Sequence, residues 1–394
     1  MDKLSVQDVS VNGKRVLLRV DFNVPLAGGE VKDDTRIQAA LPTIRYLLAR
    51  GAGVILVSHL GRPKGEAKPE LRLDPVARRL SDLLGQPVRK LDEVVGPRVK
   101  DAAEALKPGE VLLLENVRFE KGEEKNDAAL ALALAGLADL FVNDAFGTAH
   151  RAHASTAGVA AHIPAYAGLL MIQEIAVLSG CLHKPGRPFI AILGGAKVSD
   201  KINVVHRFLE LADALLIGGG MANTFLAAQG HFMADSFYEA ELAEEAARLL
   251  EESRGRCAVL LPEDLVVTRE LKANSTFKII TPGAMEEGWK AVDIGPETAQ
   301  RFGARIAEAG MVVWNGPLGV FETKPFHRGT ETVARAVAES RAFSVVGGGD
   351  VVAALEELDL SREISFISTG GGATLEFWEG KELPGITVLQ NRSN

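Results

Sequence analysis

A short apolar run, a polar or glycine-rich loop, and then apolar residues at helical spacing follow one another from end to end of this chain. That recurrence restricts the fold more than any other feature. Arg15-Val16-Leu17-Leu18-Arg19-Val20, Val54-Ile55-Leu56-Val57, Val111-Leu112-Leu113-Leu114 and Leu140-Phe141-Val142 read as strands in the first half. In the second half the same reading falls on Phe189-Ile190-Ala191-Ile192-Leu193, Leu215-Leu216-Ile217, Val259-Leu260-Leu261, Met311-Val312-Val313-Trp314, Phe343-Ser344-Val345-Val346 and Phe366-Ile367-Ser368. Strands alternating with helices imply a parallel sheet with helices on both faces, so the fold class expected is doubly wound α/β. Asp33-Asp34-Thr35-Arg36 opens one of the helices, with Ile37, Leu41, Ile44 and Leu48 on one face and an aspartate suited to the cap.

At 394 residues the chain exceeds what one core usually spans, so two domains are expected. A helical segment from Leu169 to Leu182 runs into Lys184-Pro185-Gly186-Arg187-Pro188, and the junction is expected there.

In open parallel sheets ligands bind at the carboxyl ends of the strands, so the exit loops carry the chemistry. Those of the first half bring Arg36, His59, Arg62, Arg118 and Arg151, a set suited to forked contacts with the phosphate and carboxylate of a small polyanion. The second half instead carries glycine triplets, two lysines and an aspartate. Its central stretch, Gly194-Gly195-Ala196-Lys197-Val198-Ser199-Asp200-Lys201, reads as a tight loop into a helix, with backbone N–H groups free to approach a phosphate and Lys197 and Lys201 on one helical face. An ordinary strand–helix turn with a solvated lysine face fits the same residues. Asp350, after Gly347-Gly348-Gly349, is placed to hold Mg2+ beside a nucleotide polyphosphate. One site for a small acid and one for a nucleotide imply transfer between them.

Other classes lose ground on composition and motif. A formal net charge of -8 argues against a broad nucleic-acid or membrane surface. Cys181 and Cys257 form no CxxC, which favours a reducing cytoplasm. The N-terminus lacks the apolar segment of a signal peptide, and Ala128 to Ala138, the longest apolar stretch, is too short to span a bilayer and reads as a buried helix. His150 and His153 could pair on a metal but have no third ligand cluster. No GxxxxGK[ST], GxGxxG, HRD or DFG occurs, which disfavours a P-loop enzyme, a dinucleotide dehydrogenase and a protein kinase.

Longer stretches complete the reading: Val20-Asp21-Phe22-Asn23-Val24-Pro25, Ser58-His59-Leu60-Gly61-Arg62-Pro63, Gly147-Thr148-Ala149-His150-Arg151-Ala152-His153, the Gly194–Lys201 stretch, Trp314-Asn315-Gly316-Pro317 and Gly347-Gly348-Gly349-Asp350. In that order, nearly end to end, the chain resembles the phosphoglycerate kinases. The resemblance implies two doubly wound α/β/α domains, each with a six-stranded parallel sheet, joined by a helix. Residues 1–168 would be the phosphoglycerate-binding domain, 169–185 the connecting helix and 186–376 the nucleotide-binding domain, with the tail 377–394 returning to the first. It implies reversible phosphoryl transfer between 1,3-bisphosphoglycerate with MgADP and 3-phosphoglycerate with MgATP, in glycolysis or gluconeogenesis, by a cytoplasmic monomer that closes about a hinge.

Carried over residue by residue, the resemblance makes Asp21, Asn23, Arg36, His59, Arg62, Arg118 and Arg151 the 3-phosphoglycerate site. Arg36, Lys197 and Gly371 would be catalytic. The nucleotide would meet Gly195, Ala196, Lys197, Lys201, Gly219, Asn315, Pro317, Glu322, Gly348, Gly349, Asp350 and Val351, with Gly370 and Gly371 at a further helix start and Asp350 holding the metal. Similar proteins usually carry Ser or Thr after that aspartate; Val351 offers only its backbone N–H.

Overall fold

The structure is a computed structural model that describes residues 2–392. It divides into two compact units, one running from the N-terminus to Ala176 and rejoined by the tail from Lys381 onward, the other Val177–Gly380. The helix Leu169–His183 therefore crosses the boundary. Its first turn is tied to the first unit, where the Leu169 N–H donates to Thr43 Oγ1 at 3.0 Å and the Met171 N–H to Asp144 Oδ1 at 3.2 Å. The tail leaves the second unit later than residue 377, because Phe377 and Trp378 are still buried and Trp378 lies 5.8 Å, ring to ring, from Phe208.

In the first unit β1 (Arg15–Arg19), β2 (Gly53–Val57), β3 (Val88–Lys90), β4 (Val111–Leu113), β5 (Leu140–Asn143) and β6 (Ala165–Ala167) form a six-stranded sheet in the order β3-β4-β2-β1-β5-β6, parallel throughout. Val16, Leu18, Val54 and Leu56 on one face share a core with Ile37, Ile44 and Leu47 of the helix Thr35–Ala49 and with Val76 and Leu80 of the helix Asp74–Leu84. Leu17, Ile55, Leu112 and Phe141, which alternate with them, are equally buried. Both faces are thus covered, which is why these strands have no polar side. Each fully buried Leu or Phe contributes about 1.5–3 kcal/mol. The tail adds to this unit: the Leu4 N–H donates to Gln390 O at 2.8 Å, Asn143 Nδ2 to Gly385 O at 2.9 Å and the Gly385 N–H to Ala149 O at 2.8 Å. It thereby props the exit of β5.

The second unit repeats the plan with β7 (Phe189–Leu193), β8 (Ala214–Ile217) and β9 (Ala258–Leu260). An insertion follows: β10 (Leu265–Thr268), β11 (Phe277–Ile280) and β12 (Lys290–Ile294) make a separate antiparallel sheet, β11-β10-β12, that the regular strand–helix reading does not anticipate. β13 (Met311–Asn315), β14 (Phe343–Gly347) and β15 (Phe366–Ile367) then complete a parallel sheet ordered β9-β8-β7-β13-β14-β15. In each sheet the strand order reverses beside the first strand, between β1 and β5 and between β7 and β13. Crevices form at such switch points, so the chemistry should sit where those pairs of strands end.

Candidate active site

In the first unit the loops leaving β1, β2, β4 and β5 bring their cations into one cluster around Asp21. Arg36 Nη1 donates to Asp21 Oδ2 at 3.1 Å and to Asn23 O at 3.2 Å. The Gly61 N–H donates to Asn23 Oδ1 and Arg118 Nη1 to Gly61 O, both at 2.8 Å, so the backbone just before exposed Arg62 is clamped from both sides. Arg118 is buried, and its Nε has no hydrogen-bond partner; Glu124 Oε1 lies 3.4 Å away without the geometry of one. Arg151, exposed, donates from Nε to His150 Nε2 at 3.0 Å. His150 therefore carries its ring proton on Nδ1, a buried atom that also lacks a partner. Burial, with Arg151, His153 and Arg118 nearby, lowers the His150 pKa to about 4.

Arg19, which the sequence reading did not single out, explains His59. It is fully buried, and its Nη2 lies 3.2 Å from His59 Nδ1. A guanidinium only donates, so Nδ1 accepts and the imidazole proton sits on Nε2. Asp21 Oδ1, 3.8 Å from the same Nδ1, is a near neighbour and not an ion-pair partner. Burial and then Arg19, Arg118 and Arg36 hold the His59 pKa well below its ordinary value, so the ring is a neutral N–H donor. The signal for Arg19 was its place at the last residue of β1, where a cation must either be paired or serve a site.

In the second unit the two switch-point strands deliver the Gly194–Lys201 loop and the Gly316–Glu322 loop side by side. The Gly194 N–H donates to Asn315 O at 2.9 Å and the Gly195 N–H to Pro317 O at 2.8 Å. A Cβ on Gly194 would stand 2.1 Å from Pro317 O, so only glycine permits this approach. A cavity of about 640 Å³ opens beside them, lined by Gly195, Ala196, Gly219, Pro317, Glu322 and Asp350 among the expected residues. Phe237, Pro262, Leu265, Asp293 and Phe321 line it as well. None was singled out from the sequence as a nucleotide residue. Phe237, Leu265 and Asp293 lie where the β10–β12 insertion and the loop before Glu239 break the strand–helix rhythm, and Pro262 and Phe321, though on strand exits, carry no polar side chain to mark them.

Several expectations need correction or refinement here. Lys197 and Lys201 do not share a helical face: the Lys201 N–H closes a turn on Val198 O at 2.8 Å and the helix begins only at Ile202. Lys197 is exposed, whereas Lys201 is buried and its Nζ bonds Gly194 O. Burial lowers the Lys201 pKa to about 8, with Asp350 and Asp200 opposing. Asn315 is buried and its Nδ2 is taken by Gly347 O at 2.6 Å. The Val351 side chain lies in the hydrophobic core, so its N–H remains as one of the unpaired donors at the start of the helix Gly349–Glu357, after Gly348 and beside Asp350. Gly371 precedes the short helix Gly372–Trp378. At the first unit's helix start the carboxylate that takes the Thr35 N–H, at 2.8 Å, belongs to Asp33, not to the N-cap Asp34.

Asp350 fits a magnesium ion held partly by substrate: it is a single hard oxygen donor on the cavity wall beside unpaired backbone N–H groups. Among the described residues no group of three or more acids, histidines or cysteines could hold a metal alone.

A guanidinium and imidazole cluster on one α/β unit and a glycine-walled cavity on another are the equipment of a phosphotransferase with a small acidic acceptor. Residues 6–381 match the family described as phosphoglycerate kinase. A phosphoglycerate kinase of Moorella thermoacetica is 57% identical over 395 residues, covering all of both chains, and that of Rubrobacter xylanophilus is 57% identical over 392 residues, covering 100% of this chain and 99% of its own. The structure of phosphoglycerate kinase from Coxiella burnetii superposes over 100% of both chains with a TM-score of 0.90 at 43% identity. That from Pyrococcus horikoshii OT3 gives 0.86 at 35% identity, over 98% of each chain. The chain belongs to the phosphoglycerate kinase family.

Proposed function

We propose that this protein catalyses reversible phosphoryl transfer between 1,3-bisphosphoglycerate with ADP and 3-phosphoglycerate with ATP, the glycolytic step of its family, as a cytoplasmic monomer. The observation that carries the reading is the cluster around Asp21. Its cations outnumber its carboxylates, His150 Nδ1 is a buried donor without a hydrogen bond, and buried Arg118 Nε has only its ion pair with Glu124, an arrangement that suits a small polyanion. In this reading Arg36, His59, Arg62, Arg118 and Arg151, with Asp21 and Asn23, bind 3-phosphoglycerate, and His59 donates from Nε2. Gly195, Ala196, Gly219, Pro317 and Glu322 bind the nucleotide. Lys201 and the helix-start N–H groups of Gly349, Asp350, Val351 and Gly372, with Gly348, Gly370 and Gly371, face its phosphates, and Asn315 fixes the Gly347–Gly348 backbone behind them.

The acceptor carboxylate has an ordinary pKa of about 4, so it is ionised at neutral pH and no general base is needed. Catalysis then consists of alignment and charge stabilisation. Arg36 and Lys197 grip the oxygens of the transferring group, and Gly371 lets the backbone approach it closely. Asp350 would hold Mg2+ beside the nucleotide phosphates, where the ion would offset their charge.

A coupled assay should consume ATP only when 3-phosphoglycerate is added; turnover without it, or none with it, rejects the function. Lys197→Ala should lower kcat far more than KM, and a variant retaining near-full kcat removes Lys197 from this role.

A further inference from the structure

Glu239 lies outside every motif that marks the site, in the loop beyond the helix Gly219–Ala228. Its carboxylate is turned onto the loop that carries Lys197. Oε2 accepts the Ser199 backbone N–H at 2.9 Å, and Oε1 accepts the Ser199 hydroxyl at 2.5 Å. Its own N–H donates to Oγ1 of fully buried Thr224 at 3.0 Å. Two residues earlier, Phe237 lines the nucleotide cavity while its carbonyl accepts Asn223 Nδ2 at 3.0 Å. Ser236 Oγ accepts the Ala291 N–H of β12 at 2.9 Å. Residues 236–239 are thus pinned at both ends and reach from the cavity wall to the turn that follows Lys197.

Burial raises the Glu239 pKa, but the bonds from Ser199 and Val198, with Lys197 close by, outweigh it and hold the group below its ordinary value. It is an anion at neutral pH. Its place matters because Val198–Lys201 is a turn and not helix, so no helical ladder fixes the backbone there. The backbone there sets where the Lys197 stem begins and which directions it can take, and a misplacement of about 1 Å at a reacting centre costs on the order of 100-fold in rate.

We propose that Glu239 is a positioning residue for phosphoryl transfer: by anchoring the turn at Ser199 it aims Lys197 at the transferring group and joins the Phe237 wall of the cavity to the phosphate-side loop. The assignment rests on the reading of Lys197 given above. Glu239→Gln, which keeps the size of the side chain but loses the charge and one acceptor, should lower kcat by about 10- to 100-fold. The ADP dissociation constant by calorimetry should move by less than about threefold, since Lys197 acts on the transferring phosphoryl group, which ADP lacks. In a Lys197→Ala background the same change should do almost nothing further, because the two residues act as a unit.

An equal loss of kcat in both backgrounds would mark Glu239 as merely structural and overturn the proposal, as would an unchanged kcat for E239Q in the wild-type background. If Lys197→Ala itself keeps full kcat, the reading of Lys197 is what fails. Should E239Q not fold, Ser199→Ala removes only the hydroxyl contact: a lowered kcat that disappears in the Lys197→Ala background supports the anchor, and an unchanged kcat rejects it.

Discussion

Lys201 shows how one buried charge ties ligand binding to pH. Burial favours its neutral form, so its pKa falls to about 8. A polyphosphate bound nearby favours the ammonium and must raise that value again. Nucleotide binding near pH 8 should therefore take up a fraction of a proton, seen by calorimetry as a dependence on the ionisation enthalpy of the buffer. At pH 6.5, where Lys201 is already charged, its uptake should disappear, and Lys201→Met should abolish the uptake seen at pH 8. No uptake in the wild type at pH 8 would mean that Lys201 does not sense the phosphates. His59 works in the opposite sense: its pKa is lowered, so the unfolded chain binds a proton that the folded one refuses. Its contribution to stability is full above its ordinary pKa of about 6.5 and is lost as pH falls below it. Relative to the wild type, His59→Gln should flatten the fall in urea midpoint between pH 7 and 5; an equally steep fall would reject the neutral assignment.

The nucleotide cradle is an element-scale object, two loops joined backbone to backbone where β7 and β13 end side by side. Gly219 starts the helix after β8 at φ +67, and a Cβ there would meet Gly195 O at 2.7 Å and Gly195 N at 2.9 Å. Those neighbours are backbone and cannot yield as a flexible side chain would. Gly219→Ala should cost more than about 1 kcal/mol in urea unfolding and weaken ATP binding while leaving 3-phosphoglycerate binding intact. Gly230→Ala is the control: φ there is +89 but nothing stands within 4 Å, so it should bring backbone strain without loss of ATP affinity. Equal ATP affinity in Gly219→Ala and the control would show that the close approach does not matter. At this scale the sequence was legible where strands were apolar on both faces. β3 and β6 were not read from it: β3 is only partly buried and β6 is three residues at the sheet's edge. β10–β12 form hairpin-like pairings that no strand–helix rhythm signals.

At the scale of the whole molecule, two units with separate cores should respond to their ligands one at a time. A saturating ligand stabilises the unit that binds it by about 2.7 kcal/mol at 100 times its dissociation constant. Hydrogen exchange should show protection around residues 21–23, 59–62 and 118 with 3-phosphoglycerate, and around 194–201 and 316–322 with ATP. Protection of the same segments by either ligand alone would refute two independent sites. Transfer further requires that the two ligands meet, so we propose closure, read as compaction in solution scattering only when both are present. The α/β class, the positions of the strand exits and the residue types gathered there were all set by local sequence, because apolar periodicity and glycine placement act over a few residues. Which exits become neighbours was not: the strand order brings Asp21 to His59 and Gly194 to Pro317, pairs far apart along the chain. Only the tertiary structure could bury Arg19 behind His59, part Lys201 from Lys197 and turn Glu239 onto Ser199, since a side chain's protonation and partners depend on what the fold places against it.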